Sequence, residues 1–161
     1  MKPAIFTIAA AMLLSFSLTS APVLAMGGGD TKTVDTSKQD FAAGKKAVYA
    51  AKYNKAIMLM TKVLKSDSKN ADAYNYLGFS YRKKGNLKLA AASYKEALDI
   101  NPNHKGALEY QGEMYLKLNN FSAANSNLAH LERLCSSGCK ELAELKRAIA
   151  DYAATRPARG S

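Results

Sequence analysis

The sequence predicts an all-α protein, a right-handed α-solenoid of three stacked helix hairpins closed by a C-terminal capping helix. Three observations predict it. Glycine recurs at Gly44, Gly78 and Gly112, and alanine at Ala56, Ala90 and Ala124, both sets 34 residues apart. Between those marks apolar residues recur at three- and four-residue spacing, the signature of a helix with one buried face. Strand-like alternation of β-branched residues is missing, while Ala, Lys and Leu abound. A chain of 161 residues with 48% hydrophobic and 22% charged composition suits one globular domain. Repetition at this period marks a unit that cannot cover both of its apolar faces alone and stacks on copies of itself.

Residues 1–25 are expected to stand apart from that domain. Lys2 supplies a positive start, Ala4 to Leu18 an apolar run, and Val23-Leu24-Ala25 small or apolar residues before a cleavage point. This is the layout of a secretory signal peptide, with cleavage predicted after Ala25 and the mature chain in the periplasm. The run is broken by Thr7, Ser15 and Ser17 and is short for a span of about 20 residues, which argues against an uncleaved anchor. No Cys lies near the cleavage point, which argues against a lipid anchor. Residues 26–36, with Gly27-Gly28-Gly29, read as a flexible leader.

The first repeat is assigned to residues 37–70. Ser37 and Asp40 have N-cap and first-turn character, and Phe41, Gly44, Ala47 and Val48 share one helical face. After Ala51-Lys52-Tyr53 the partner helix carries Ala56, Ile57, Met60, Val63 and Leu64. Asn70 closes the polar loop 66–70 and is placed to cap the next helix.

The second repeat, residues 71–104, is the best defined. Counted from Ala71 as the first position, Tyr74, Leu77, Gly78 and Tyr81 fall at 4, 7, 8 and 11. Ala90, Tyr94, Ala97 and Pro102 fall at 20, 24, 27 and 32. Gly in a helix interior costs roughly 1 kcal/mol relative to Ala, so close helix packing is expected to offset Gly78. Asn86 is placed to cap the second helix, which ends before Pro102. This pattern resembles the tetratricopeptide repeat, a helix–turn–helix unit of the same length.

The third repeat, residues 105–138, repeats the layout, with Asn103 expected to cap its first helix and Asn119-Asn120 marking the internal turn. Leu142, Leu145, Ala148, Ile149 and Tyr152 then place a seventh helix within residues 139–155, the terminal cap of a stacked array. Residues 156–161 read as a frayed tail. Cys135 and Cys139 flank the corner before that helix. Two cysteines in a secreted chain favour a disulfide, with free thiols or a redox pair as alternatives. The spacing is not the two-residue gap of thioredoxin-type motifs. The stretch LCSSGCKELAELKRAIADY resembles the C-terminal end of small secreted tetratricopeptide proteins of Gram-negative bacteria.

His104 and His130 are the only histidines, and neither has a motif partner for catalysis. No phosphate loop, nucleophile elbow or zinc-protease motif occurs, so no enzyme activity, cofactor or metal is expected. Past residue 25 the chain carries 22 basic and 13 acidic residues, a net charge of +9. The first repeat holds +6 of it, through Lys38, Lys45, Lys46, Lys52, Lys55, Lys62, Lys65 and Lys69 against Asp40 and Asp67. The bland reading is a solvated lysine face, and the sharper one is attraction to an acidic partner. Nucleic acid is not expected, because the lysines are not interleaved with stacking aromatics.

The resemblance implies that the first helix of each repeat lines a concave groove that holds a peptide or protein. The implied groove residues are Lys38, Phe41, Lys45, Val48 and Tyr49, then Asp72, Asn75, Phe79, Arg82 and Lys83, then Gly106, Glu109, Glu113, Leu116 and Lys117. Lys45, Tyr49, Asn75, Phe79, Arg82, Lys83, Glu109 and Glu113 are the candidate partner-binding residues. The Lys/Asn pattern that clamps a C-terminal carboxylate in some relatives is not reproduced in register. The function expected is a non-catalytic periplasmic interaction scaffold. The alternatives are an envelope-associated structural protein held by the basic first repeat, and a thiol redox protein using Cys135 and Cys139.

Overall fold

The structure, a computed structural model, describes residues 36–155. The expected signal peptide at 1–25, all but the last residue of the expected leader at 26–36, and the expected tail at 156–161 lie outside the described residues. Seven helices occur among the described residues: α1 (Ser37–Tyr49), α2 (Tyr53–Ser66), α3 (Ala71–Lys83), α4 (Leu87–Ile100), α5 (Lys105–Lys117), α6 (Phe121–Leu134) and α7 (Lys140–Ala154). They form three hairpins, α1/α2, α3/α4 and α5/α6, each packed on the next, with α7 against α5 and α6.

The helix starts follow from side-chain acceptors. Asn70, Asn86 and Asn120 accept hydrogen bonds from the backbone N–H of Ala73, Leu89 and Ala123 at 2.9, 3.2 and 3.1 Å. For α5 the sequence expectation fails by one residue. His104, not Asn103, is the cap, and its Nδ1 accepts from the Ala107 N–H at 3.1 Å. Asn103 instead meets His130 Nε2 through its amide oxygen at 3.1 Å, tying α6 back to the loop before α5. At α1 the residue before the helix is Thr36, so Ser37 lies inside the first turn. The Thr36 hydroxyl donates to Asp40 Oδ2 at 2.7 Å rather than capping the backbone.

The helix ends carry the repeat more strictly than the side chains do. Ala51, Gly85 and Asn119 all have positive φ, at 54°, 80° and 59°. The following N–H of Lys52, Asn86 and Asn120 donates to the carbonyls of Ala47, Tyr81 and Tyr115 at 2.8, 2.9 and 2.8 Å. The N–H of the left-handed residue itself reaches Val48, Arg82 and Leu116, each at 3.0 Å. Three Schellman closures in register therefore set the same hairpin angle in each repeat.

The core runs along the array as four linked clusters. Ala47, Val48 and Ala56 begin it. Met60, Val63, Ala73 and Leu77 follow, then Ala90, Tyr94, Ala97, Ala107 and Met114. Leu108, Leu131, Cys135, Leu142 and Leu145 close it. Gly44 and Gly78 act as expected within their hairpins, facing Met60 of α2 and Tyr94 of α4. Gly112 departs from this. A Cβ there would meet Leu145 of α7, so the third clearance admits the terminal helix rather than the hairpin partner. Accordingly α7 leans on α5 far more extensively than α5 leans on α3. That packing goes with the first turn of α7 standing at the face shared by α1, α3 and α5.

Candidate binding groove

Two neighbouring arrangements occupy that face. The first is an aromatic row held around a buried arginine. Tyr53, Phe79 and Tyr110 follow one another with ring centroids 6.3 and 4.8 Å apart. The Arg82 guanidinium lies against both Phe79 and Tyr110, at 5.3 and 5.5 Å from their centroids. Its Nη1 pairs with Glu113 Oε2 at 2.5 Å, and its Nε donates to the Tyr94 hydroxyl at 3.4 Å. Burial alone would lower the Arg82 pKa, but Tyr94 and Glu113 outweigh it and raise it. Arg82 is only 4% exposed and is spent on these internal partners. Lys83, one residue on, is exposed and sets its ammonium 5.2 Å from the outer side of the Phe79 ring.

The second arrangement is a cleft of about 220 Å³, lined from α1 by Tyr49, from α3 by Asp72, Asn75 and Tyr76, and from α5 by Gly106, Glu109 and Tyr110. The capping His104 and, from α7, Lys140 and Glu141 complete it. Asn75 is 5% exposed, and its Oδ1 has no hydrogen-bond partner among the described residues. Glu109 is 6% exposed, and its carboxyl is pushed up to about 8. Burial is the main cause, followed by the charges of Glu113, Glu141 and Glu144, which Lys140 opposes. Burial, then Glu109 and Glu113, likewise push the Tyr110 phenol up to about 12. His104 closes the rim by setting Nε2 3.0 Å from Asp72 Oδ1 while its other nitrogen caps α5. A wider hollow of about 380 Å³ lies at the turn end, between residues 51–55 and Lys84, and shares Tyr53 with the aromatic row.

The candidate residues therefore divide. The structure brings Phe79, Arg82, Lys83 and Glu113 together in the aromatic row, and Tyr49, Asn75 and Glu109 together around the cleft. Lys45 is exposed on α1 and does not line the cleft. Sequence reasoning missed Tyr76 and Tyr110, although both stand six residues into their repeats, and that shared register was the available signal. It also missed Lys140 and Glu141, which reach the cleft from α7 where that helix packs on α5.

The two cysteines end α6 and precede α7. Their Cα atoms lie 5.6 Å apart with the sulfurs at bonding distance, within the range a disulfide requires. Gly138, at φ 85°, turns the chain between them. Among the described residues no group of three or more His, Cys, Asp or Glu is placed to hold a metal ion. No helix among them is long and apolar enough to cross a membrane.

Residues 71–104 match the family model described as tetratricopeptide repeat. No curated protein matches the chain. Among solved structures, the TPR2B domain of yeast Sti1, in a complex with pHsp70, is similar at a TM-score of 0.67 and 15% identity, covering 75% of this chain and 98% of that one. PcrH, in complex with the chaperone binding region of PopB, is similar at 0.63 and 23% identity, covering 73% and 95%. The type III secretion translocator chaperone SycD of Yersinia enterocolitica is similar at 0.64 and 20% identity, covering 75% and 91%. Residues 71–104 thus carry a tetratricopeptide repeat, and the hairpin stack shares the fold of these solved structures.

Proposed function

We propose that this protein is a non-catalytic scaffold of the bacterial periplasm that holds a peptide or protein partner along the face of α1, α3 and α5. The observation that carries this reading is the cleft. Three successive first helices and the cap supply its walls, and a buried amide inside it lacks a partner. Structurally similar domains were solved with a bound segment, pHsp70 for yeast Sti1 and part of PopB for PcrH. Arg82 and Glu113 are spent on each other and His104 on capping α5, which supports a structural role for these three. The periplasmic setting rests on residues 1–25, and an oxidised Cys135–Cys139 bridge is proposed with it.

The test is affinity capture from an envelope extract with mass spectrometry, comparing the protein with a Lys45→Glu/Lys83→Glu variant. Both lysines are exposed, so the fold should survive. Arg82 is left intact because it is buried. Loss of the captured partner supports the groove, and unchanged capture overturns it.

One observation favours a second reading, attachment to an anionic envelope component. Lys46, Lys52 and Lys55 surround a hollow at the α1–α2 turn, and Lys84 stands at the adjoining one. Binding to isolated envelope material that fades as salt rises would support that reading.

A further inference from the structure

We propose that the cleft between α1, α3, α5 and the start of α7 is a subsite for the ammonium group of a lysine side chain presented by the bound partner. The inference rests on the groove reading above and adds the chemistry of one contact.

The walls offer acceptors and aromatic rings. The Asn75 amide is buried, and its oxygen receives no hydrogen bond among the described residues. A buried acceptor left unpaired is costly, so an incoming donor gains its full effect there. Gly106 keeps that amide open, since a Cβ at this position would stand 3.1 Å from Asn75 Nδ2. Across the cleft, Glu109 is buried among like charges from Glu113, Glu141 and Glu144. Lys140, on the exposed rim, is the cation set against them. A cation inside the cleft would relieve that repulsion and favour the ionised carboxylate. Tyr49, Tyr76 and Tyr110 line the cleft, and aromatic walls suit a cation on an aliphatic stem.

Size and charge select the ligand further. At about 220 Å³ the cleft falls below the range of roughly 300–1,000 Å³ typical of small-molecule pockets and suits a single long side chain. An acidic side chain would face Asp72, Glu109 and Glu141 together. Because Lys45 and Lys83 lie outside the cleft, a partner with one lysine and nearby acidic residues would satisfy both parts of the face.

The test is a titration of the isotope-labelled full chain with N-acetyl-lysine methylamide, following the Asn75 side-chain amide and the Gly106 and Glu109 backbone N–H by NMR. Saturable shifts at these groups are expected, with none from the norleucine or glutamate analogues. Glu109→Gln keeps the shape and should weaken lysine binding about tenfold. Lys140→Ala removes a competing cation from the rim and should strengthen it about threefold. Equal binding of the norleucine or glutamate probe, or no effect of Glu109→Gln, overturns the subsite. Saturable binding of putrescine with none of the lysine probe would overturn the side chain as the occupant and point to a free amine. If the lysine probe fails while Lys45→Glu/Lys83→Glu still releases the partner, the subsite falls and the groove stands. If the lysine probe binds while capture survives that double change, the groove falls instead.

Discussion

Alanine at the three periodic glycines should give three different outcomes, ordered by what each new methyl meets. In a helix interior Ala is intrinsically better than Gly by roughly 1 kcal/mol. At Gly78 the added Cβ would sit 2.7 Å from two ring carbons of Tyr94. That ring is fully buried, and its hydroxyl holds Arg82, so it cannot retreat without disturbing the Arg82–Glu113 pair. Overpacking of this kind costs about 1–3 kcal/mol or more, so a net loss of about 2 kcal/mol is expected. At Gly44 the Cβ would meet the terminal methyl of Met60 at 2.8 Å, the far end of a flexible side chain. Met60 can yield, and the net change should lie within about 0.5 kcal/mol of zero. At Gly112 the obstacle is Leu145 of α7, at 2.7 and 2.8 Å, and the terminal helix can shift outward at a cost of about 1 kcal/mol. Urea unfolding followed by far-ultraviolet circular dichroism reads all three. Equal effects, or a stabilised Gly78→Ala, would refute the packing argument.

Three further outcomes follow from the same geometry. Arg82→Met should cost about 3 kcal/mol in urea unfolding, because it strands the buried Tyr94 hydroxyl and the Glu113 carboxylate, whereas exposed Lys83→Ala should cost less than about 0.5 kcal/mol. Glu109 is raised from 4.5 to about 8, so the folded state holds that proton more tightly than the unfolded chain. Its contribution is present below pH 4.5 and is lost as pH rises through 8, a fall of roughly 2 kcal/mol after allowing for water in the cleft. Glu109→Gln should remove that slope when unfolding is measured across the pH range. Ala51 adopts φ 54° where the other repeats place Gly85 and Asn119, so Ala51→Gly should raise the thermal midpoint, by about 1 kcal/mol in stability.

The sequence made the fold legible where the repeat is a matter of side-chain volume or local capping. Gly78 and Tyr94, the asparagines at 70, 86 and 120, and the apolar stripe of α7 all express local rules. What the sequence hid depends on distant approach. Gly112 keeps its register but loses its hairpin role, because Leu145 of α7 packs against it on α5. The α5 cap passed to His104, since an imidazole nitrogen can accept as an asparagine does and Asp72 holds its other nitrogen. As a groove residue Arg82 is expected to contact the partner. Its burial became visible only with Tyr94, Glu113 and two rings around it, from three different helices. The cleft was hidden for the same reason, being built from four helices and one loop.

The central claim is that the shared face of α1, α3 and α5 is where a partner chain lies. The most direct measurement is an NMR shift map of the full chain with a peptide selected on it from a random display library. The account predicts perturbations at Tyr49, Asn75, Phe79, Lys83 and Glu109, with the outward residues Met58 of α2 and Leu89 of α4 unmoved. Perturbations centred on Met58 and Leu89, with Asn75 and Phe79 silent, would contradict it.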